Sequence, residues 1–144
     1  VHGPCDTSAV TDSAPTVIRV AAAVIVDDCG RILLVRKRGT TAFMQPGGKI
    51  MPGESPVEAL HREVSEELNV DIVAESVRFL GRHVAPAANE PDHTVEADLF
   101  LVRPNGTPRA SAEIDESIWV APARTGDIDI APLTREAVLT LALD

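Results

Sequence analysis

Residues 48–70, GKIMPGESPVEALHREVSEELNV, join a glycine-rich loop to an amphipathic helix. Ser55 suits the N-cap of that helix, Pro56 suits its first turn, and Glu58 completes a capping box with Ser55. Apolar side chains then recur every three or four residues and turn one helical face to a core: Val57, Leu60, Val64 and Leu68. Asn69 tolerates the left-handed backbone of a helix end, so the sequence predicts that the helix ends near this residue.

The loop in front of this helix is rich in residues that interrupt regular structure. Residues 43–54 contain two prolines and three glycines, which predicts a shaped loop rather than a strand or a helix. Gly47 and Gly48 allow close approach of another backbone segment or of a ligand. Carbonyl groups released from regular pairing could then act as oxygen ligands beside the helix.

Three glutamates of the helix share one face. Glu63, Glu66 and Glu67 are spaced i, i+3 and i+4, so their carboxylates repel one another. A divalent cation reverses that repulsion, and Mg²⁺ and Mn²⁺ prefer hard oxygen ligands of this kind. Arg62 lies beside this face and can brace the carboxylates. A merely solvated face is the alternative for such glutamates in isolation, but the glycine-rich loop in front favours a metal site.

The rest of the chain mixes strands and helices without the regular alternation of a doubly wound sheet, which favours an α+β domain. Residues 17–26 are dense in Val, Ile and Ala and predict a strand covered on both faces. A turn at 27–30 and a second strand at 31–37 predict a hairpin with it. Phe79 and Phe100 lie in strand patterns and are expected in the core. The remaining predicted elements are strands within 73–84, 94–102 and 118–120 and a closing helix at 134–143.

The charge balance narrows the possible partners. The 144 residues include 13 Lys and Arg against 22 Asp and Glu, which gives a net charge of −9. This acidity argues against a polymeric nucleic-acid partner, which needs a basic surface, but it permits a small phosphate compound held through metal ions. We expect a polar, flexible arm at 1–15 and a single domain at 16–144.

Several other features indicate the compartment. The two cysteines are too few for a disulfide framework or a zinc site. No run approaches the ~20 apolar residues of a membrane span, and the first residues lack the pattern of a secretory signal. We therefore predict a cytoplasmic protein without a membrane partner.

The stretch from Gly48 through Glu54 to residues 62–70 resembles the Nudix box, G-x5-E-x7-R-E-U-x-E-E-x-G-U, where U is aliphatic. Every defined position matches except that Asn69 stands where the family usually has glycine. Asparagine is the next best residue for a left-handed helix end, so we expect the exception to be harmless. The preceding QPGGK, the hairpin and the strand around Trp119 also fit the family, and the resemblance then extends from residue 16 to the C-terminus.

The resemblance implies an α/β/α sandwich around a mixed sheet and an enzyme that hydrolyses a nucleoside diphosphate linked to a group X, using Mg²⁺ or Mn²⁺. It implies a catalytic set of Glu54, Arg62, Glu63, Glu66, Glu67 and Glu113. The metal ligands among the implied residues are the Gly47 carbonyl, Glu66 and Glu67, with Glu63 as ligand or base. Glu54 would support Arg62 or act as a ligand through water. Many relatives recruit a further glutamate after the box, for which we prefer Glu113 over Glu116.

The substrate group X is less strongly indicated. Arg36, Lys37, Arg38 and Lys49 are candidates for phosphate contacts, with a solvated strand end as the alternative, and Phe43 with the 85–93 loop could line a base pocket. By family frequency we expect a nucleoside triphosphate and a house-cleaning role. Pro86 resembles a marker of ADP-ribose pyrophosphatases, and the absence of tyrosine argues against diadenosine polyphosphates. A non-catalytic nucleotide-binding module is a further alternative, and homodimerisation is a hypothesis because many family members are dimers.

Overall fold

A computed structural model describes residues 16–88 and 90–143 of the chain. The arm predicted at 1–15 lies outside the described residues. The elements in chain order are β1 (Thr16–Val24), β2 (Ile32–Lys37), β3 (Gly47–Lys49), α1 (Pro56–Leu68), β4 (Asp71–Ile72), a 3₁₀ turn (Ala74–Ser76), β5 (Arg78–Pro86), β6 (His93–Leu101), β7 (Pro104–Asn105), β8 (Ile114–Val120), a π-helical segment (Thr134–Val138) and α2 (Leu139–Leu143).

The central sheet is mixed and has the strand order β3-β1-β6-β5. β1 and β6 run parallel over their full length, from the pair Thr16 and His93 to the pair Val24 and Leu101. β3 pairs antiparallel with β1, and β5 pairs antiparallel with β6. β1 is therefore an interior strand. Residues 21–25 are buried, as predicted for a strand covered on both faces, but the beginning of the strand is not, and Val17 is 54% exposed.

The two faces of β1 belong to two different hydrophobic clusters. Ala21 and Ala23 pack in the cluster that contains Leu60, Val64 and Leu68 of α1. The prediction that Val57 faces the same core was wrong, since it is 38% exposed in the first turn of the helix. Ala22 and Val24 pack in the cluster that contains Val138 and its neighbours at the C-terminal end of the chain. Small side chains on the central strand let both helical layers approach the sheet closely. The result is the predicted arrangement of helix, mixed sheet and helix.

The predicted hairpin between β1 and β2 forms only at its turn. Asp27 accepts a backbone hydrogen bond from Gly30, and the Leu33 amide donates to the Ile25 carbonyl. Beyond this point β2 leaves β1 and pairs antiparallel with β8. The reason lies at Ala23, whose amide donates to the Pro46 carbonyl, so that β3 takes the edge of β1 that a full hairpin would use.

Three other expectations differ in detail from the structure. The loop at 43–54 is not wholly irregular, because Gly47–Lys49 forms β3. The closing helix begins as a π-helical segment. Phe100 is buried as expected, but the prediction for Phe79 was wrong: it is 60% exposed, and its ring lies 5.4 Å from that of Phe100 at the outer strand of the sheet.

Candidate active site

The helix α1 has the caps that the sequence predicts. Ser55 Oγ accepts from the Glu58 amide at 3.1 Å, and Glu58 Oε1 accepts from the Ser55 amide at 2.8 Å, which completes the capping box. Asn69 adopts the left-handed conformation with φ 51° and ψ 41°. The asparagine that replaces glycine in the box thus takes the required backbone shape, and α1 ends at Leu68 as expected.

Two glycines let β3 lie close against both β1 and α1. Gly47 has φ +142°, and a Cβ atom there would overlap the Ala21 carbonyl oxygen of β1. A Cβ atom on Gly48 would overlap the carboxylate of Glu63. The glycine pair is therefore required by the packing of backbone against backbone on one side and of backbone against a carboxylate on the other.

The most buried carboxylate of the chain's described part belongs to Glu67, which is 2% exposed. Its Oε1 accepts a hydrogen bond from the Gly47 amide at 3.0 Å. Burial, together with the nearby charges of Glu63 and Glu113, raises the pKa of Glu67 to about 8, although the Gly47 amide and Lys37 act to lower it. The fold therefore holds a carboxyl group whose negative charge, once ionised, is not fully offset by the Gly47 amide and Lys37.

This raised pKa makes stability depend on pH in a known direction. The pKa of Glu67 is about 8 in the fold against 4.5 for the unperturbed group. Its contribution is fully present below the unperturbed value and is lost as pH rises through the folded value. In EDTA, we expect the melting temperature to fall between about pH 5 and about pH 9, and to fall less in Glu67→Gln. Parallel curves for the two proteins across that range would contradict this expectation.

Arg62 connects the loop to the carboxylates of α1. Its Nε donates to Glu54 Oε2 at 2.7 Å and its Nη2 donates to Glu54 Oε1 at 2.9 Å, which makes a bidentate pair. The same guanidinium donates to the Lys49 carbonyl at 3.0 Å and to Glu63 Oε2 at 2.7 Å. Arg62 and the Met51 amide hold the pKa of Glu54 down at about 2. Glu54 is thus engaged with Arg62, which is the first of the two roles that the resemblance implied.

Glu113 reaches the site through a loop that covers the end of α1. The amides of Arg109 and Ser111 donate to the Leu68 and Glu67 carbonyls at 2.8 Å and 2.9 Å, which satisfies helix-end acceptors. Glu113 follows this loop and pairs with Lys37 Nζ at 3.4 Å.

Glu116 has a different environment from Glu113. It pairs instead with Arg36 at 3.1 Å. Of the two candidate glutamates, Glu113 is the one whose charge acts on Glu67.

The carboxylate oxygen atoms at and around Glu67 are of the kind that a hard divalent cation binds. No residue in the described part of the chain donates a hydrogen bond to Glu67 Oε2, although the group is buried beside two other carboxylates. A cation there would offset both burial and repulsion. Glu66 is 55% exposed and Glu63 is held by Arg62. Within residues 16–88 and 90–143, no group of three His, Cys, Asp or Glu side chains is arranged so that it could hold a metal ion.

A cavity of about 120 Å³ lies beside β3. Its polar lining comes from Lys37, Gln45, Lys49 and Glu90. The apolar lining is aliphatic among the described residues: Ile18, Val20, Ala21, Met44, Pro86, Ala87, Ala88, Val95, Ala131 and Leu133. The cavity is also lined by Gly47 and Gly48, the two residues of β3 that lie against Glu67 and Glu63 of α1.

The structure brings only some of the predicted substrate contacts to this cavity. Lys49 lines it, as does Lys37. Arg36 instead pairs with Asp115 and Glu116, and its guanidinium lies 5.9 Å from the centre of the Phe43 ring.

The other two predicted contacts also lie away from the cavity lining. Arg38 donates to the Ala112 carbonyl at 3.2 Å. Phe43 packs in the second hydrophobic cluster.

Sequence reasoning missed Gln45 and Thr134. Both are buried, and Thr134 Oγ1 donates to Gln45 Oε1 at 2.7 Å. The sequence places Gln45 only in the QPGGK segment before the box, and it places Thr134 only at the start of the closing helix. A polar residue beside the box was the one available signal, and its partner lies 89 positions away.

Known proteins resemble the chain in sequence. The profile of the NUDIX domain matches residues 17–140. A segment of 58 residues is 40% identical to the 8-oxo-dGTP diphosphatase of Haemophilus influenzae and covers 38% of this chain and 43% of that protein. A segment of 47 residues is 38% identical to the RNA pyrophosphohydrolase of Halorhodospira halophila and covers 33% of this chain and 26% of that protein. The chain thus aligns with less than half the length of these two relatives.

The fold is also similar to a solved structure. The solution structure of the E. coli ORF135 protein superposes with a TM-score of 0.70 at 26% identity, covering 98% of this chain and 95% of that one. Among the described residues no helix is both long and apolar enough to cross a membrane. The profile match extends over the mixed sheet and the glutamate-bearing helix together, and the chain therefore belongs to the Nudix hydrolase family.

Proposed function

We propose that the chain hydrolyses the pyrophosphate bond of a nucleoside diphosphate linked to a further group, with Mg²⁺ or Mn²⁺ as its cofactor. The observation that carries this proposal is the buried Glu67 carboxylate, which has one oxygen without a hydrogen bond from the described residues and has Glu63 and Glu113 as charged neighbours. A structural role alone would favour an apolar side chain at such a position.

The residues that would hold the cation are Glu67, Glu63, Glu66 and the Gly47 backbone. When bound, the metal supplies positive charge against the pyrophosphate and acidifies a bound water. Arg62 keeps the Glu63 carboxylate in place beside Gly48. Lys49 and Lys37 at the cavity lining would meet the phosphate oxygens. Glu113, whose carboxylate pairs with Lys37 at 3.4 Å, would accept the proton of the attacking water.

As the substrate we propose a nucleoside triphosphate, in which the group X is a phosphate, hydrolysed in a house-cleaning role. The aliphatic cavity beside β3 would take the base, and the relative named 8-oxo-dGTP diphosphatase supports a triphosphate substrate. A second candidate is ADP-ribose or a nucleotide sugar, which the position of Pro86 in the cavity lining favours. The net charge of −9 argues against polymeric nucleic acid as a partner, so the proposal does not include one. A cytoplasmic location and a homodimer stay predictions.

A substrate panel tests the proposed function. The purified chain would be incubated with nucleoside triphosphates, ADP-ribose and a short RNA with a 5′-triphosphate, each with Mg²⁺, with Mn²⁺ and with EDTA. We expect pyrophosphate or phosphate release from a triphosphate only with a divalent cation. Formation of AMP and ribose 5-phosphate from ADP-ribose, with no hydrolysis of a triphosphate, would shift the assignment to the second candidate. Silence across the whole panel, with nucleotide binding still detected by calorimetry, would replace hydrolysis by a binding role.

A further inference from the structure

A buried glutamine forms part of the lining of the aliphatic cavity. Gln45 is 8% exposed and lies immediately before the Pro46 that leads into β3. Its Oε1 accepts from Thr134 Oγ1 at 2.7 Å, and Thr134 is fully buried. Thr134 follows Leu133, which also lines the cavity. The amide of Gln45 therefore lies where the loop before β3 meets the C-terminal helical segment, at the cavity boundary.

The bond from Thr134 fixes which end of the Gln45 amide is available. A glutamine amide offers one acceptor oxygen and two N–H donors. The oxygen is used by Thr134, whereas no acceptor in the described ranges takes a hydrogen bond from Nε2. The apolar walls supplied by Val20 and Leu133 have no side-chain acceptor. Burying unpaired N–H donors is unfavourable, and an acceptor on a ligand bound in the cavity would satisfy them.

We propose that Gln45 is a specificity-determining residue that donates Nε2–H to a ring carbonyl oxygen of the nucleobase. The cavity then favours keto bases, meaning 6-oxopurines or 4-oxopyrimidines, over bases that present an amino group at the same position. The phosphates are recognised separately, because Lys37 and Lys49 supply the positive charge in the cavity lining. Thr134 is a positioning residue that acts through Gln45. This inference rests on the proposed function, since it names the base within the same site.

Inosine and adenosine triphosphates provide the matched pair for a test. They differ in the six-membered ring, where inosine has a carbonyl at C6 and adenosine has an amino group. We expect the wild-type kcat/KM to be about tenfold higher for ITP than for ATP. Gln45→Leu, which is close in size but has no amide, should bring this ratio to about one. Thr134→Val should lower the ratio as well, whereas Thr134→Ser, which keeps the hydroxyl, should retain it.

A second measurement separates this inference from the hydrolase assignment. Calorimetry with IMP and AMP in EDTA reads base recognition without turnover, and the preference for IMP should disappear in Gln45→Leu, whose melting curve confirms folding. If the chain hydrolyses both triphosphates but Gln45→Leu keeps the wild-type ratio, the role of Gln45 is overturned and the hydrolase assignment stands. If no triphosphate is hydrolysed but IMP is preferred in binding, the role of Gln45 stands and the hydrolase assignment fails. Equal affinities for IMP and AMP in the wild type would overturn the role of Gln45.

Discussion

Replacing Glu67 by glutamine should lower metal-dependent hydrolysis about 10³-fold while the chain stays folded. Glutamine keeps an oxygen that can accept from the Gly47 amide, so the 3.0 Å contact between α1 and β3 survives. What the substitution removes is a carboxyl group beside Glu63 and Glu113 that can ionise when a cation binds and then attract it. Steady-state rates over a Mg²⁺ titration provide the measurement.

The control for this variant is Glu75→Gln, which makes the same chemical change at an exposed residue of the 3₁₀ turn outside the site. It should reproduce the wild-type rate and melting temperature. A Glu67→Gln protein with a rate within a few-fold of the wild type would show that the catalytic centre lies elsewhere. Loss of the folded state in this variant would instead show that the carboxylate has a structural role.

Replacing Gly47 by alanine should cost at least about 3 kcal/mol of unfolding free energy. The backbone at Gly47 has φ +142°, and the added Cβ would overlap the Ala21 carbonyl oxygen of the neighbouring strand. That oxygen is part of β1, an interior strand, so neither side can move without disturbing the sheet. Urea denaturation measures the change, and failure to obtain folded protein is the extreme form of the expected result.

Gly30→Ala separates backbone strain from steric overlap. Gly30 also has positive φ, at +79°, but no atom lies within 4 Å of a Cβ atom built there. Its substitution should cost only about 1 kcal/mol from the backbone conformation. Equal losses in the two variants would mean that the close contact between β3 and β1 contributes nothing to stability.

Local sequence signals predicted the parts of the fold that depend on neighbouring residues. The capping box of Ser55 and Glu58 and the left-handed Asn69 were predicted correctly because each acts within one helical turn. The partner of β2 could not be predicted, because it depends on β3 occupying the edge of β1. The exposure of Phe79 was missed for a related reason. A strand pattern indicates two faces, but it does not show that β5 is the outer strand of its sheet.

The candidate site shows the same division. The carboxylates of α1 and the glycines of β3 lie within one continuous motif, and their proximity follows from helix periodicity and a short connection. Glu113 lies near Glu67 just before β8, whose register with β2 shifts at Arg36 and Lys37, and no spacing rule indicates this placement. The hydrogen bond between Gln45 and Thr134 spans 89 residues, so only the folded chain reveals it.

The loop over the end of α1 also limits where this protein can change its length. Residues 106–112 lie between two strands, and two of their amides donate hydrogen bonds to carbonyls at the end of α1. The residue that follows this loop is Glu113. An inserted residue here would shift both the helix end and the glutamate, so insertions and deletions in descendants of this chain should be rare in this loop. The turn at 27–30 joins two strands at an exposed position, away from the end of α1 and from Glu113. It is the natural place to attach a tag or a fluorescent label without disturbing catalysis.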